Sequence, residues 1–249
     1  MIAVVPHSTE PEIERATRHT LDTMAADGST PGFQYVFASD QAVLFSHHGG
    51  AADLLTPRAV TEHSTFNAYS VTKTFTAAAV MLLAERRLVD LDHPIARYLD
   101  RWPHCGAATV RQTLLHTAGF ANPNPLRWVH LAEEHAAFDR DRFVEEVSRA
   151  DCRPVSQQAR LTDEILAAGS RAALFKNESA PGPTRSLGGF TGQLGQADWF
   201  ARAGGGAGYY SEIRVYPQLS RASVLMLNRP GIRDERLLDR LDRHLIEQR

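Results

Sequence analysis

Ser70 and Lys73 are the residues whose types and spacing best suit covalent chemistry. Only two lysines, Lys73 and Lys176, stand among the 27 basic residues, and all the others are arginine. A spacing of three on a helix puts the hydroxyl and the amine on one face, a turn apart. Arginine cannot substitute, because a guanidinium keeps its proton, whereas a buried lysine can lose its own and accept the serine's. The chain has 14 serines, so Ser-x-x-Lys is expected by chance about 0.1 times. The pair reads as nucleophile and base. Taken alone, the same residues also fit a helix N-cap and an ordinary surface lysine.

The surrounding text strengthens the first reading. Ser70 opens a predicted helix over 71–86, so its backbone N–H lies near the positive helix end, where developing negative charge is stabilised. The glycine-rich run over 203–208 allows close approach of backbone to a substrate, and Gly205 is the expected second oxyanion donor. The run precedes a strand and lacks a following Lys-Ser/Thr, which argues against a phosphate-binding loop. Eleven histidines form no His-Glu-x-x-His pattern, and His47-His48 reads as a solvated strand end. His116 is expected near the last carbonyls of a helix, with Gly119 closing the turn, so a Ser-His-Asp triad is the weaker mechanism. Cys105 and Cys152 are isolated. Two free thiols or one disulfide both fit.

Composition sets the outer bounds. The chain has 249 residues, 43% hydrophobic and 22% charged, with net charge -2. That is a soluble globular composition, enough for one large domain or two small ones, without the basic excess of a nucleic-acid binder. No run approaches the roughly 18 apolar residues of a membrane span. The N-terminus lacks a basic start and a long apolar core, so no signal peptide is read and a cytoplasmic location is expected.

The elements follow from periodicity and turn residues. Helix is expected over 10–27, then a hairpin of strands 32–38 and 41–46 around Ser39-Asp40. The helix over 71–86 is apolar nearly all round and should be buried. A turn over 90–94 leads to a short helix. Further helices are expected over 109–116, 125–135 and 139–149. Residues 151–190 are weakly periodic. Strands over 209–216 and 222–227 flank a turn at 217–221, and an amphipathic helix over 232–247 ends the chain. The expected class is α/β in the α+β sense. One antiparallel sheet is built from both ends of the chain and flanked by helices, with a reduced helical insertion. It forms a single domain, 1–249, with the α/β part at about 1–66 and 185–249 and the helical part at about 70–180.

The chain resembles the serine beta-lactamase and penicillin-binding protein superfamily, closest to its class C-like esterases and D-amino-acid peptidases. Phe66-Asn67-Ala68-Tyr69-Ser70-Val71-Thr72-Lys73 matches the nucleophile segment. Leu88-Val89-Asp90-Leu91-Asp92-His93-Pro94-Ile95 and Thr109-Val110-Arg111-Gln112-Thr113-Leu114-Leu115-His116-Thr117-Ala118-Gly119-Phe120 match the stretches that follow. Arg202-Ala203-Gly204 falls at the third motif, a cation-x-Gly tripeptide. The similarity covers residues 20–150 and 185–248. It implies a beta-lactamase/transpeptidase-like fold and an acyl-enzyme serine hydrolase without cofactor or metal, acting on a small ester or amide and not on nucleic acid or membrane. Arg202, Gly204 and Tyr209 would contact the substrate. Two departures stand out. No tyrosine occurs between Phe120 and Arg202, and no serine there has an asparagine two residues on, so the block carrying the Tyr-x-Asn or Ser-x-Asn motif is read as missing. Arginine also replaces the usual lysine or histidine of the third motif and cannot shuttle a proton. An esterase is therefore expected before a lactamase, with a catalytically impaired member as the alternative.

Overall fold

A computed structural model describes residues 12–56, 58–99, 107–119, 132–148, 184–186, 189–229 and 237–246. Cys105, Cys152, Lys176, most of the interval expected to lack the tyrosine motif, and residues 232–236 of the last expected helix lie outside them. The chain divides into two compact units. The first comprises residues 1–75, 179–185 and 189–249, and the second comprises 76–178 and 186–188.

The first unit carries the sheet. Helix α1 (Glu12–Ala26) leads into strands β1 (Gly32–Ser39), β2 (Val43–Asp53) and the short β3 (Arg58–Ala59). After the helical unit come β4 (Thr184–Ser186), β5 (Gly189–Leu194), β6 (Ala197–Gly206), β7 (Tyr209–Tyr216) and β8 (Arg221–Leu227). The strand order is β3-β2-β1-β8-β7-β6-β5-β4, and every pair with a described register is antiparallel. Thus β8 pairs with β1, from Phe33 opposite Leu227 to Ser39 opposite Arg221, and joins the two ends of the chain. The sequence did not reveal β5 or the first half of β6. Their text mixes glycine with polar residues, and burial comes from neighbouring strands. The glycine run is the end of strand β6 and its hairpin turn, and not a loop ahead of a strand.

The terminal helices cover one face of the sheet. Helix α5 (Leu237–Ile246) buries Leu237, Leu238, Leu241 and Leu245 against Phe33, Tyr35, Phe37, Leu225 and Leu227, with Leu21 of α1 in the same cluster. Thr17 Oγ1 donates to the Leu241 carbonyl at 3.1 Å and ties the two helices together.

A buried polar network lies beneath α5. Asp242 is fully buried and accepts from Tyr35 Oη at 2.6 Å, Tyr216 Oη at 2.6 Å and Ser223 Oγ at 2.7 Å. Arg214, also buried, bonds Asp239 and Glu212 and stacks 4.4 Å from the Trp199 ring centroid. Burial pushes the Asp242 carboxyl above its ordinary range, against the pull of the three hydroxyls and Arg214. Polar residues spaced two apart along β7 concealed this network, since such alternation reads equally well as a solvated strand face.

In the second unit, Met81, Leu91, Val110 and Leu115 form the core. Helix α2 (Thr72–Glu85) begins in the first unit and the boundary falls after Phe75. The expectation that this helix is buried all round fails. Only Ala77 and Met81 are buried, with Val80 and Ala84 partly so, while Phe75 and Leu82 are more than half exposed. Among the described residues, packing follows one i, i+3, i+4, i+7 stripe, Ala77, Val80, Met81 and Ala84. Helix α3 (Val110–Leu114) opens on a capping box between Thr109 and Gln112. Its end also differs from expectation. His116, at φ 58°, holds the left-handed position, with the His116 N–H bonded to the Thr113 carbonyl and the Thr117 N–H to the Gln112 carbonyl. Gly119, also at positive φ, comes three residues too late to close this helix. Helix α4 (Arg140–Ser148) agrees with the periodicity, while Ala132–Ala137 is a 3-10 turn.

Asp242→Ala removes one acceptor from three buried hydroxyls and a countercharge from Arg214. Breaking such a network should cost about 3–5 kcal/mol. Denaturant unfolding reads this directly, and a wild-type midpoint would show that the network contributes nothing net.

Candidate active site

Ser70 lies in the 3-10 turn Tyr69–Val71 that leads into α2, so it precedes the helix proper and does not cap it. Tyr69 has φ 44°, a left-handed conformation costly for a bulky side chain and typical of strained functional turns. The turn is short because the Val71 N–H bonds the Ala68 carbonyl at 3.0 Å. One helical turn on, Lys73 Nζ donates to Ser70 Oγ at 2.8 Å. Lys73 is exposed as a residue, not buried as expected. Its pKa is nevertheless lowered from 10.5, first by partial desolvation of the amine and then by repulsion from Arg202.

Strand β6 supplies the other wall. A Cβ on Gly204 would lie 2.5 Å from the Ala68 carbonyl oxygen and 2.6 Å from the Ser70 nitrogen. One on Gly206 would lie 3.1 Å from the Tyr69 ring. The strand therefore meets the Ser70 turn backbone to backbone, which only glycine permits. Side chains alternate along a strand, so Arg202, Gly204 and Gly206 share the face toward Ser70. Arg202 also lies over the Phe190 ring, 5.8 Å from its centroid.

The β6–β7 hairpin turns at Ala207 and Gly208, both at positive φ, as a two-residue I′ turn requires. Gly206 and Tyr209 are the closing pair. In such a hairpin the closing pair exchanges both hydrogen bonds and the next pair, Gly205 with Tyr210, exchanges none, which turns the Gly205 N–H away from β7. Tyr209 faces the Ser70 side and meets the Phe66 ring edge-on at 6.1 Å. Ser70, Lys73, Arg202, Gly204, Gly205 and Tyr209 thus all fall in the first unit. His116 belongs to the second, at the exposed end of α3. Sequence reading missed Ser211. It is fully buried on β7 opposite Gly204, with Oγ donating to the Ala68 carbonyl at 2.7 Å. Nothing in the spacing marks it.

His47 is no solvated strand end. Its Nε2 pairs with Asp22 and its Nδ1 with Arg18, both at 2.6 Å, linking β2 to α1. Among the described residues there is no group of three or more His, Cys, Asp or Glu placed to hold a metal ion. None of the helices there is long and apolar enough to cross a membrane.

A sequence model of the beta-lactamase family matches residues 17–154, more than half of the chain and including Ser70 and Lys73. The chain belongs to the beta-lactamase family. Within it, penicillin-binding protein 4* of Bacillus subtilis (strain 168) is 31% identical over 86 residues, which is 34% of this chain and 18% of that protein. The chain thus spans under a fifth of this relative. Among solved structures, a class C beta-lactamase superposes with TM-score 0.68 at 12% identity, covering 98% of this chain and 99% of that one. The D-amino acid amidase of Ochrobactrum anthropi SV3 complexed with D-phenylalanine superposes with TM-score 0.65 at 16% identity, covering 94% and 98%. These structural likenesses place the beta-lactamase/transpeptidase-like fold. The family match ends before β6.

Gly204→Ala tests the close approach. The added methyl must displace the Ser70 nitrogen, and a shift near 1 Å should cost about a hundredfold in reactivity. Labelling of Ser70 by a fluorophosphonate, compared with wild type at matched thermal stability, gives the answer. Undiminished labelling would mean that the turn has room to spare.

Proposed function

We propose that this beta-lactamase-family chain is a serine hydrolase that cleaves esters or amides through an acyl-enzyme, and that esters are its better substrates. One observation carries the reading. The Lys73 amine lies 2.8 Å from the Ser70 hydroxyl, and its pKa is lowered. In the charged state the ammonium donates to Oγ. Once neutral, the amine can accept the hydroxyl proton across the same bond.

Ser70 Oγ attacks the substrate carbonyl carbon while its proton passes to Lys73 Nζ. The carbonyl oxygen gains the electron pair and is held by the N–H groups of Ser70 and Gly205. Collapse of the tetrahedral centre breaks the bond to the leaving group, which takes a proton from Lys73 or water. Water then attacks the acyl-enzyme, releases the acid and restores Ser70. Arg202 holds an anionic part of the substrate, and Gly204 and Tyr209 line the site. The amidase among the structural neighbours makes amides a reasonable second class. The chain acts as one beta-lactamase-like domain, 1–249, on a small molecule, and a cytoplasmic location fits this reading.

The absence of tyrosine between Phe120 and Arg202 supports a second reading, in which acylation chemistry is impaired and the chain binds without turnover. It also explains the preference for esters. An activated ester leaves without a proton, whereas an amine needs one.

Ser70→Ala should abolish p-nitrophenyl ester hydrolysis and fluorophosphonate labelling. Wild-type protein that folds yet shows neither would establish the second reading. Because the base must be neutral, the acylation rate should rise with pH through a midpoint below the usual lysine value of 10.5 and level off above it. Arg202→Gln removes a positive neighbour, favours the protonated amine and should move that midpoint upward. An unmoved midpoint in the pH–rate profile would detach Arg202 from Lys73.

A further inference from the structure

We propose that Ser211 is a positioning residue for the nucleophile, acting through the Ala68 carbonyl. The inference rests on the hydrolase reading for its catalytic consequence, but its geometry is independent of that reading.

Strand β7 alternates between two surroundings. Tyr210, Glu212, Arg214 and Tyr216 are buried on the face toward α5, while Tyr209, Ile213 and Val215 on the other face are only half-buried. Ser211 is the exception on that second face, with no exposure at all. What covers it is the turn bearing Ser70. Its Oγ lies 2.7 Å from the Ala68 carbonyl and 3.3 Å from that of Gly204. A hydroxyl has one proton to give, and the shorter contact takes it.

The Ala68 carbonyl is the hinge of the turn. It already accepts from the Val71 N–H at 3.0 Å, so the Ser211 hydroxyl fills its second lone pair. Tyr69, which follows it, is held at φ 44°. A left-handed tyrosine relaxes toward extended or right-handed backbone unless its surroundings hold it. Relaxation there would swing the Ser70 N–H, which packs against Gly204. The glycines of β6 provide room for the strained turn, and the hydroxyl of Ser211 fastens it. An alanine at 211 keeps the room and loses the fastening.

Two measurements test this on the full chain. The first is fluorophosphonate labelling, separated into its maximal rate and its half-saturating concentration. Ser211→Ala, and Ser211→Cys with its weak thiol donor, should lower the maximal rate about tenfold, the equivalent of one hydrogen bond. The half-saturating concentration should be unchanged. Ser211→Thr, which keeps the hydroxyl, should restore the rate. The second is amide hydrogen exchange. The Val71 amide should exchange about tenfold faster in the Ala variant, while the amides of β1 and β8 keep wild-type protection. Wild-type labelling rates in the Ala variant would overturn the positioning role, as would unchanged Val71 exchange, or a rate loss that the Thr variant does not reverse. Wild-type protein that never labels would sink the hydrolase reading instead. The exchange result would then still decide whether Ser211 holds the turn.

Discussion

The backbone of Gly204 packs against the backbone of residues 68–70, and this close approach constrains everything around it. A Cβ at 204 would sit 2.5 Å from one backbone atom and 2.6 Å from another, inside any tolerable contact. The strand must therefore carry glycine there. Tyr69 must bend left-handed so that Ser70 follows the strand surface, and the helix that starts just beyond brings Lys73 one turn later onto the serine hydroxyl. The Ser70–Lys73 pair joins a spacing of three residues to a strand that touches the Ser70 turn.

That strand needs a firm support, and the sheet supplies it through its opposite face. The residues of β7 alternate between the two jobs. Ser211 faces the nucleophile turn, and its neighbours Tyr210 and Glu212 face α5. Below them Asp242 gathers Tyr35, Tyr216 and Ser223, side chains drawn from β1, β7 and β8, onto one carboxylate. A fully satisfied buried network of this kind favours one register, because a slip by one residue would leave the carboxylate and hydroxyls unpaired. The register of β7 also sets where Ser211 and, across the hairpin, Gly204 stand. Stability on one face and geometry on the other thus share one strand.

Electrostatics at the site lowers the Lys73 pKa from its ordinary value. Lys73 is only partly desolvated, yet Arg202 faces it from β6 and opposes its charge. This gives Arg202 a part in addition to the anion binding proposed for it. A lysine there could itself lose a proton, but an arginine stays charged and keeps its effect on Lys73 constant across pH. The arginine and the absence of tyrosine between Phe120 and Arg202 are the two departures from the family pattern that the proposed chemistry has to accommodate.

Much of this was readable in the linear chain. The near absence of lysine made Lys73 conspicuous, its spacing from Ser70 fixed a shared helix face, and flanking residues pointed to the family. Strand β1, the first part of β2, α1 and α4 followed from periodicity, because local contacts set them, whereas the extension of β2 to Asp53 did not. The buried Asp242 network, Ser211, the strand nature of 197–206, the half-exposed α2 and the left-handed His116 were not readable. Each depends on partners far away in sequence, as Ser211 does on Ala68, or on a backbone conformation that the residue type itself disfavours. By itself, then, the sequence determined the family and singled out Ser70 and Lys73 as candidate groups, since side-chain chemistry and helical spacing are local properties. Only the tertiary structure decided that a glycine strand and a buried serine hold the nucleophile turn, because hydrogen bonds and close approaches between distant segments exist only once the sheet has formed.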